Sequence, residues 1–252
     1  MRQKKIILLL VIIVCTAKNT IGQDFITRVK IEFEKKVNLH QNLSGDNADR
    51  IKDAIPKYDI TYFNFAYAGN VSLYQYDHDI PAVKTNAGYF SIPHQQTSLF
   101  INYTTKQTIS KRSILMEDYI IKDTLGSIKW KITQETRNIV GYQCRKAIGR
   151  IYDSVYIVAF YCEQFIMKGG PEGIQGLPGM ILGMAIPRYN TTWFATKIEL
   201  ANIDESAITP PTKGKKMSEK ELTDMLMKRY KEFGMKDVTP AIVKEAFKGY
   251  LL

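Results

Sequence analysis

Cysteine and histidine are scarce in this chain of 252 residues, with three of each, and their scarcity removes several chemistries at once. There is no CxxC pair, HExxH motif or calcium-loop spacing, so the standard metal motifs are absent. Asp77-His78-Asp79 is the densest histidine-containing cluster. A strand would point consecutive residues to opposite faces, so a polar turn explains the cluster better than a ligand set. No G-x-S-x-G elbow offers a serine nucleophile. No cofactor is implied.

Internal apolar runs long enough to cross a bilayer are missing too. The one long apolar run is N-terminal, where Arg2, Lys4 and Lys5 precede the aliphatic block of "IILLLVIIVC". Thr20-Ile21-Gly22 then supplies the small-x-small pattern of a cleavage site. Residues 1–22 are therefore expected to be a signal peptide, cut after Gly22, with no transmembrane segment left afterwards. A retained membrane anchor is the competing reading. Cys15 does not mark a lipoprotein, because Val14 stands before it where a small residue is needed. Removing Arg2, Lys4, Lys5 and Lys18 lowers the formal charge from +10 to +6. No arginine-rich arm or aromatic RNA-binding signature accompanies that basicity, so nucleic acid is not an expected partner. A solvated basic face is the simplest explanation.

What the chain does contain is short alternating segments. In "RVKIEFEKKVNL", Val29, Ile31 and Phe33 alternate with Lys30, Glu32 and Glu34, the period of a half-buried strand. "SGDNADRIKDAIPKY" reads as a short helix ending before Pro56. "DITYFNFAYAGNVSLYQYD" is a hairpin broken at Ala68-Gly69-Asn70. Residues 80–97 read as a loop or edge. "SLFINYTTKQTI", "SILMEDYIIKDT" and "IKWKITQETRNI" read as successive strands, and "YQCRKAIGRIYDSVYIVAFYC" as a second hairpin. "MILGMAI" and "TTWFATKIELANI" complete the series. The pattern predicts a mainly β fold, an antiparallel sheet forming a sandwich or open half-barrel. After "TPPTKGKK", Ser218 and Glu221 form a capping box, and a second helix can begin at Thr239-Pro240. The expected organisation is a β-rich domain over 23–208 and a linker with C-terminal helices over 209–252.

Two cysteines remain in the mature chain. Cys144 and Cys162 face each other across the second hairpin if Asp153 lies at its centre, and an exported protein would oxidise them. The closed loop of about 18 residues would be worth roughly 3 kcal/mol by loop entropy. Arg145 and Lys146 beside Cys144 could favour a thiolate, yet a bridge is the more natural use. Met180 and Met184 could be soft metal ligands on one strand face, but methionine in an apolar strand usually fills core. The many tyrosines could line a sugar-binding surface, and they suit an exposed sheet equally well.

The run "GGPEGIQGLPGMILGM", Gly169 to Met184, is not a phosphate loop, because Gly179 precedes Met180-Ile181-Leu182 and not Lys-Ser/Thr. Pro171 and Pro178 rule out a transmembrane GxxxG face. Backbone shaping remains: Pro178-Gly179 fits the centre of a type II turn feeding an apolar strand, with Gly179 at positive φ.

The hexapeptide Gly176-Leu177-Pro178-Gly179-Met180-Ile181 resembles the signature of the GLPGLI family, secreted proteins typical of Bacteroidetes. The similarity extends through Trp130-Lys131-Ile132, Glu135-Thr136, Ile139-Val140-Gly141-Tyr142, and Cys144 with Lys146-Ala147, and covers roughly residues 24–203. Met180 replaces the family's leucine, Cys162 stands where a Thr-like residue is expected, and the tail after Pro210 lies outside the shared region. The family has no established activity, so the resemblance implies a periplasmic or outer-membrane-associated address and no catalytic residues. Two function classes follow. One is a non-enzymatic envelope module that binds an envelope protein or an apolar ligand, exposing aromatic and aliphatic residues of Ile60–Tyr67 and Leu99–Tyr103. The other is an envelope enzyme with a site assembled from scattered polar residues.

Overall fold

The computed structural model describes residues 26–41, 43–90, 97–114, 117–151, 155–234, 239 and 243. The expected signal peptide, the apex of the second hairpin at 152–154 and most of the second C-terminal helix lie outside the described residues.

In chain order the elements are β1 (Val29–Asn38), α1 (Ala48–Ala54), β2 (Tyr58–Ala68), β3 (Val71–Asp79), β4 (Val83–Thr85), β5 (Gly88–Phe90), β6 (Ser98–Asn102), β7 (Gln107–Ile114), β8 (Glu117–Thr124), β9 (Trp130–Ile139), β10 (Tyr142–Ile151), β11 (Val155–Cys162), β12 (Met180–Ile186), β13 (Thr191–Glu199), β14 (Lys215–Ser218) and α2 (Glu219–Glu232). Twelve of these strands form one open sheet ordered β14-β8-β7-β6-β3-β2-β1-β13-β12-β11-β10-β9, while β4 and β5 pair separately. The sheet is thus two antiparallel meanders joined where β1 meets β13. It is open, neither a closed barrel nor a sandwich. Among the described strands of the sheet, β14 alone departs from antiparallel pairing, running parallel to β8.

The alternation in β1 is the cause of its placement. Val29, Ile31 and Phe33 are buried at 0–1% exposure and pair across to Tyr67, Phe65 and Phe63 of β2. β12 has no such alternation and is buried along nearly its whole length, as a strand covered on both faces must be. The edge strand β9 keeps Lys131, Glu135 and Arg137 exposed, charges that discourage further strand addition.

Each face has its own cover. Ile203 and Ile208, after β13, pack on Ala68, Val71, Phe100, Ile109 and Ile120. On the opposite face, Leu222 and Leu226 of α2 pack against Ile114, Tyr119 and Ile121. The capping box expected at Ser218 and Glu221 starts that helix. The glycine-rich segment folds back over the rest of this face, burying Ile174 and Leu177 in one cluster with Tyr161, Ile181 and Trp193.

Three expectations change. The stretch "SLFINYTTKQTI" is not one strand but β6, a turn and β7; the Asn102 carboxamide accepts from the Thr105 N–H at 2.9 Å, and Lys106 takes φ +54°. The aromatic face expected to be exposed is core: Phe63, Phe65, Tyr67 and Ile101 are 1–5% exposed. Met180 and Met184 are both fully buried but join different clusters, so they fill core and do not form a shared ligand face.

The "GLPG" turn also differs in kind. Gly179 has positive φ, as expected, but at +156° it is far from the roughly +80° of a type II turn. Here the chain passes close to the Cys162 carbonyl, and a Cβ on Gly179 would sit 2.8 Å from that carbonyl carbon. Asparagine tolerates the left-handed helical region, but it too carries a Cβ. Gly179→Val and Gly179→Asn should therefore both destabilise the protein, by about 1–3 kcal/mol, a fall of several degrees in a thermal melt. An asparagine variant melting like the parent would restore the ordinary turn.

The cysteines sit beside this contact. The register that pairs Arg145 with Tyr161 brings Cys144 opposite Cys162, and both thiols are free and fully buried. The neighbouring Cys144 draws the Cys162 thiol pKa below its ordinary value, against the cost of burial, while Cys162 and burial raise that of Cys144. Thiolate is the form that oxidises, so the downward shift at Cys162 favours formation of the bridge. Peptide mapping of exported protein, denatured and alkylated without reductant, should yield a linked Cys144–Cys162 peptide. Recovery of both cysteines alkylated would contradict the bridge.

Candidate functional site

On the face shared by α2 and the glycine-rich segment, a cleft remains between the two covers. It offers about 60 Å³ of room, space for a few water molecules or one small polar group. Neighbouring strands supply its floor: Lys35 from β1, Phe63 from β2, Tyr74 from β3, Leu99 from β6, and Ser110, Lys111 and Arg112 from β7. Glu172 enters from above, on the short 3-10 turn Pro171–Gly173.

Glu172 is the organising residue. Its Oε1 accepts hydrogen bonds from the Trp193 indole N–H at 3.3 Å and the Tyr74 hydroxyl at 3.4 Å. Lys35 Nζ lies 4.0 Å from the same oxygen and 5.4 Å over the Trp193 ring. Burial pushes the Glu172 carboxyl above the usual range, opposed by Lys35, Arg112 and the two hydrogen bonds. The Tyr74 hydroxyl is pushed well up by burial and then by Glu172. Glu172 also takes φ +55°, a left-handed conformation that costs a residue other than glycine of order 1–3 kcal/mol.

Two cations, Lys35 and Arg112, face the cleft with one carboxylate; Lys111, the neighbour of Arg112 on β7, points to the opposite face, where it pairs with Asp118 at 2.8 Å. The Arg112 Nε donates to Ser110 Oγ at 3.2 Å, which orients the guanidinium but cannot activate the hydroxyl, since arginine is no base. Among the described residues, no group of three His, Cys, Asp or Glu side chains could hold a metal ion.

Of the residues singled out from the sequence, Phe63 and Leu99, from the two stretches expected to expose a binding surface, line the cleft; the motif, cysteine and histidine candidates do not. Leu177, Gly179, Met180 and Ile181 are buried, whereas Gly176 and Pro178 reach the surface. Cys144 and Cys162 lie in the core. His78 pairs with Asp77 at 2.6 Å and stacks on Tyr62 at 4.7 Å. The residue missed was Glu172, the single charge between Gly169 and Met184; that isolation was its signal.

The architecture is shared with solved proteins. Two crystal structures of PNGF-II, in space groups C2 and P21, superpose with a TM-score of 0.52 at 16% identity, over 79% of this chain and 32–33% of theirs. The chain therefore spans about a third of the length of those proteins. No curated protein matches it in sequence. Residues 75–229 match the family described as N-glycanase peptide, N-terminal domain. That match takes in more than half of the 252 residues, and the chain belongs to this family.

Proposed function

We propose that this chain is an exported, non-enzymatic binding module of the cell envelope, periplasmic or outer-membrane-associated, whose partner is a glycan-bearing protein. The observation that carries the reading is the division of one sheet face. Its apolar positions are covered by the chain's own glycine-rich segment and α2, and among the described residues the polar cleft around Glu172 stays open on it. A cleft of that size and polarity favours a polar group on a partner over an apolar ligand. The glycan comes from the family's description, N-glycanase peptide, N-terminal domain. The export address rests on the N-terminal charge and hydropathy pattern and on the GLPGLI resemblance, in which "GLPGMI" shapes the backbone and core and contacts no ligand.

The family description also supports a second reading, glycan release by this chain itself. Incubating the mature chain with an N-glycosylated protein separates the two. The binding reading expects capture of the glycosylated form over its deglycosylated form, with no free glycan by mass spectrometry. Glycan release that disappears in Glu172→Gln would make the chain an enzyme.

A further inference from the structure

We infer that the cleft beside Glu172 receives one oxyanion group, a carboxylate or sulfate, carried by an acidic sugar of the partner's glycan, and that Lys35 and Arg112 hold it. This deepens the binding-module reading and rests on it for the glycan, while the oxyanion pocket itself rests on the cleft alone.

The cleft face carries two cations and one carboxylate, so an entering anion meets a positive field. The cations are fixed from more than one side. Lys35 lies 17% exposed, between the Trp193 ring and Glu172. The Arg112 guanidinium is oriented by Ser110. Preorganised cations in a narrow, partly dry site attract an oxyanion more strongly than the same groups in water. Ser110, also in the lining, offers a hydroxyl that can donate to one of the anion's remaining oxygens. About 60 Å³ accommodates a carboxylate or sulfate group and excludes a whole sugar ring, so the rest of the ligand must lie outside, on the mouth of the cleft. Glu172 opposes the anion at close range. Its carboxylate weakens binding and selects for a group that can satisfy the cations without crowding it.

The two tryptophans provide the readout. The Trp193 indole N–H donates to Glu172 inside the site, whereas the Trp130 indole N–H donates to the Gln175 carbonyl at 3.0 Å, outside the cleft lining. In ¹H–¹⁵N spectra of the mature chain titrated with sodium sulfate and with sodium acetate, against sodium chloride at equal ionic strength, the Trp193 signal should shift saturably and that of Trp130 should not. Lys35→Met and Arg112→Met should each weaken the response about tenfold or more. Glu172→Gln can still accept from Trp193 and Tyr74, and it should strengthen binding several-fold. An unchanged Trp130 signal in each variant verifies the fold. Linear shifts equal to those in chloride, or loss of binding in Glu172→Gln, would overturn the pocket.

A second arm uses a glycoprotein before and after enzymatic removal of its acidic sugars. Loss of binding on their removal is expected. Equal binding of both forms would refute the acidic-sugar ligand and leave the binding-module reading intact. Binding of neither form would refute that reading and the glycan source together, and the sulfate titration would still decide the oxyanion pocket.

Discussion

The antiparallel pairing of β1 with β13 is the constraint on which the rest of the structure depends. It joins two meanders, β1-β2-β3-β6-β7-β8 and β9 through β13, into one sheet, and it links residues as far apart in sequence as Lys30 and Glu199. Closing so long a loop costs chain entropy before any contact repays it. The repayment lies at the seam. Phe33 and Trp193 are completely buried there, and each contributes about 1.5–3 kcal/mol on burial. The same register puts Lys35 opposite Trp193, and Trp193 donates to Glu172. The pairing that completes the sheet therefore also assembles the cleft.

Glu172 is a poor fastener for the segment that carries it. Its contact with Lys35 is long, at 4.0 Å, and two largely buried charges repay their lost hydration only with close geometry. The carboxylate loses hydration, and its backbone is left-handed. Ile174 and Leu177, buried at 7% and 1% exposure in one cluster with Trp193, already hold the segment down. A residue that costs stability where apolar neighbours secure the chain is better explained by what it does for a ligand.

Much of the fold was legible because it is written in local periodicity. The alternation of β1, the break at Gly69 and the capping box at Ser218 each have a short-range cause, and each was placed correctly. The turn between β6 and β7 was not legible, because it contains neither glycine nor proline and depends on the Asn102 side chain bonding to Thr105. The pairing of β14 parallel to β8 follows from packing after Ile208 and has no sequence signature. The cleft was hidden for the same reason. Lys35, Tyr74, Arg112 and Glu172 come from four separate elements, and their convergence depends on sheet order. The glycine-rich run drew attention to its glycines, while its one carboxylate carried the chemistry.

The most direct test of Glu172 as a ligand-directed group, and not a structural latch, is the thermal stability of Glu172→Gly. Glycine relieves the left-handed strain and removes the dehydrated carboxylate, and water in the open cleft can satisfy Trp193 and Tyr74. The account predicts a melting temperature at or above that of the parent, with the oxyanion response of the Trp193 region retained. A melting temperature lowered by many degrees would show that Glu172 holds the glycine-rich segment to the sheet, and the functional assignment of the cleft would fall.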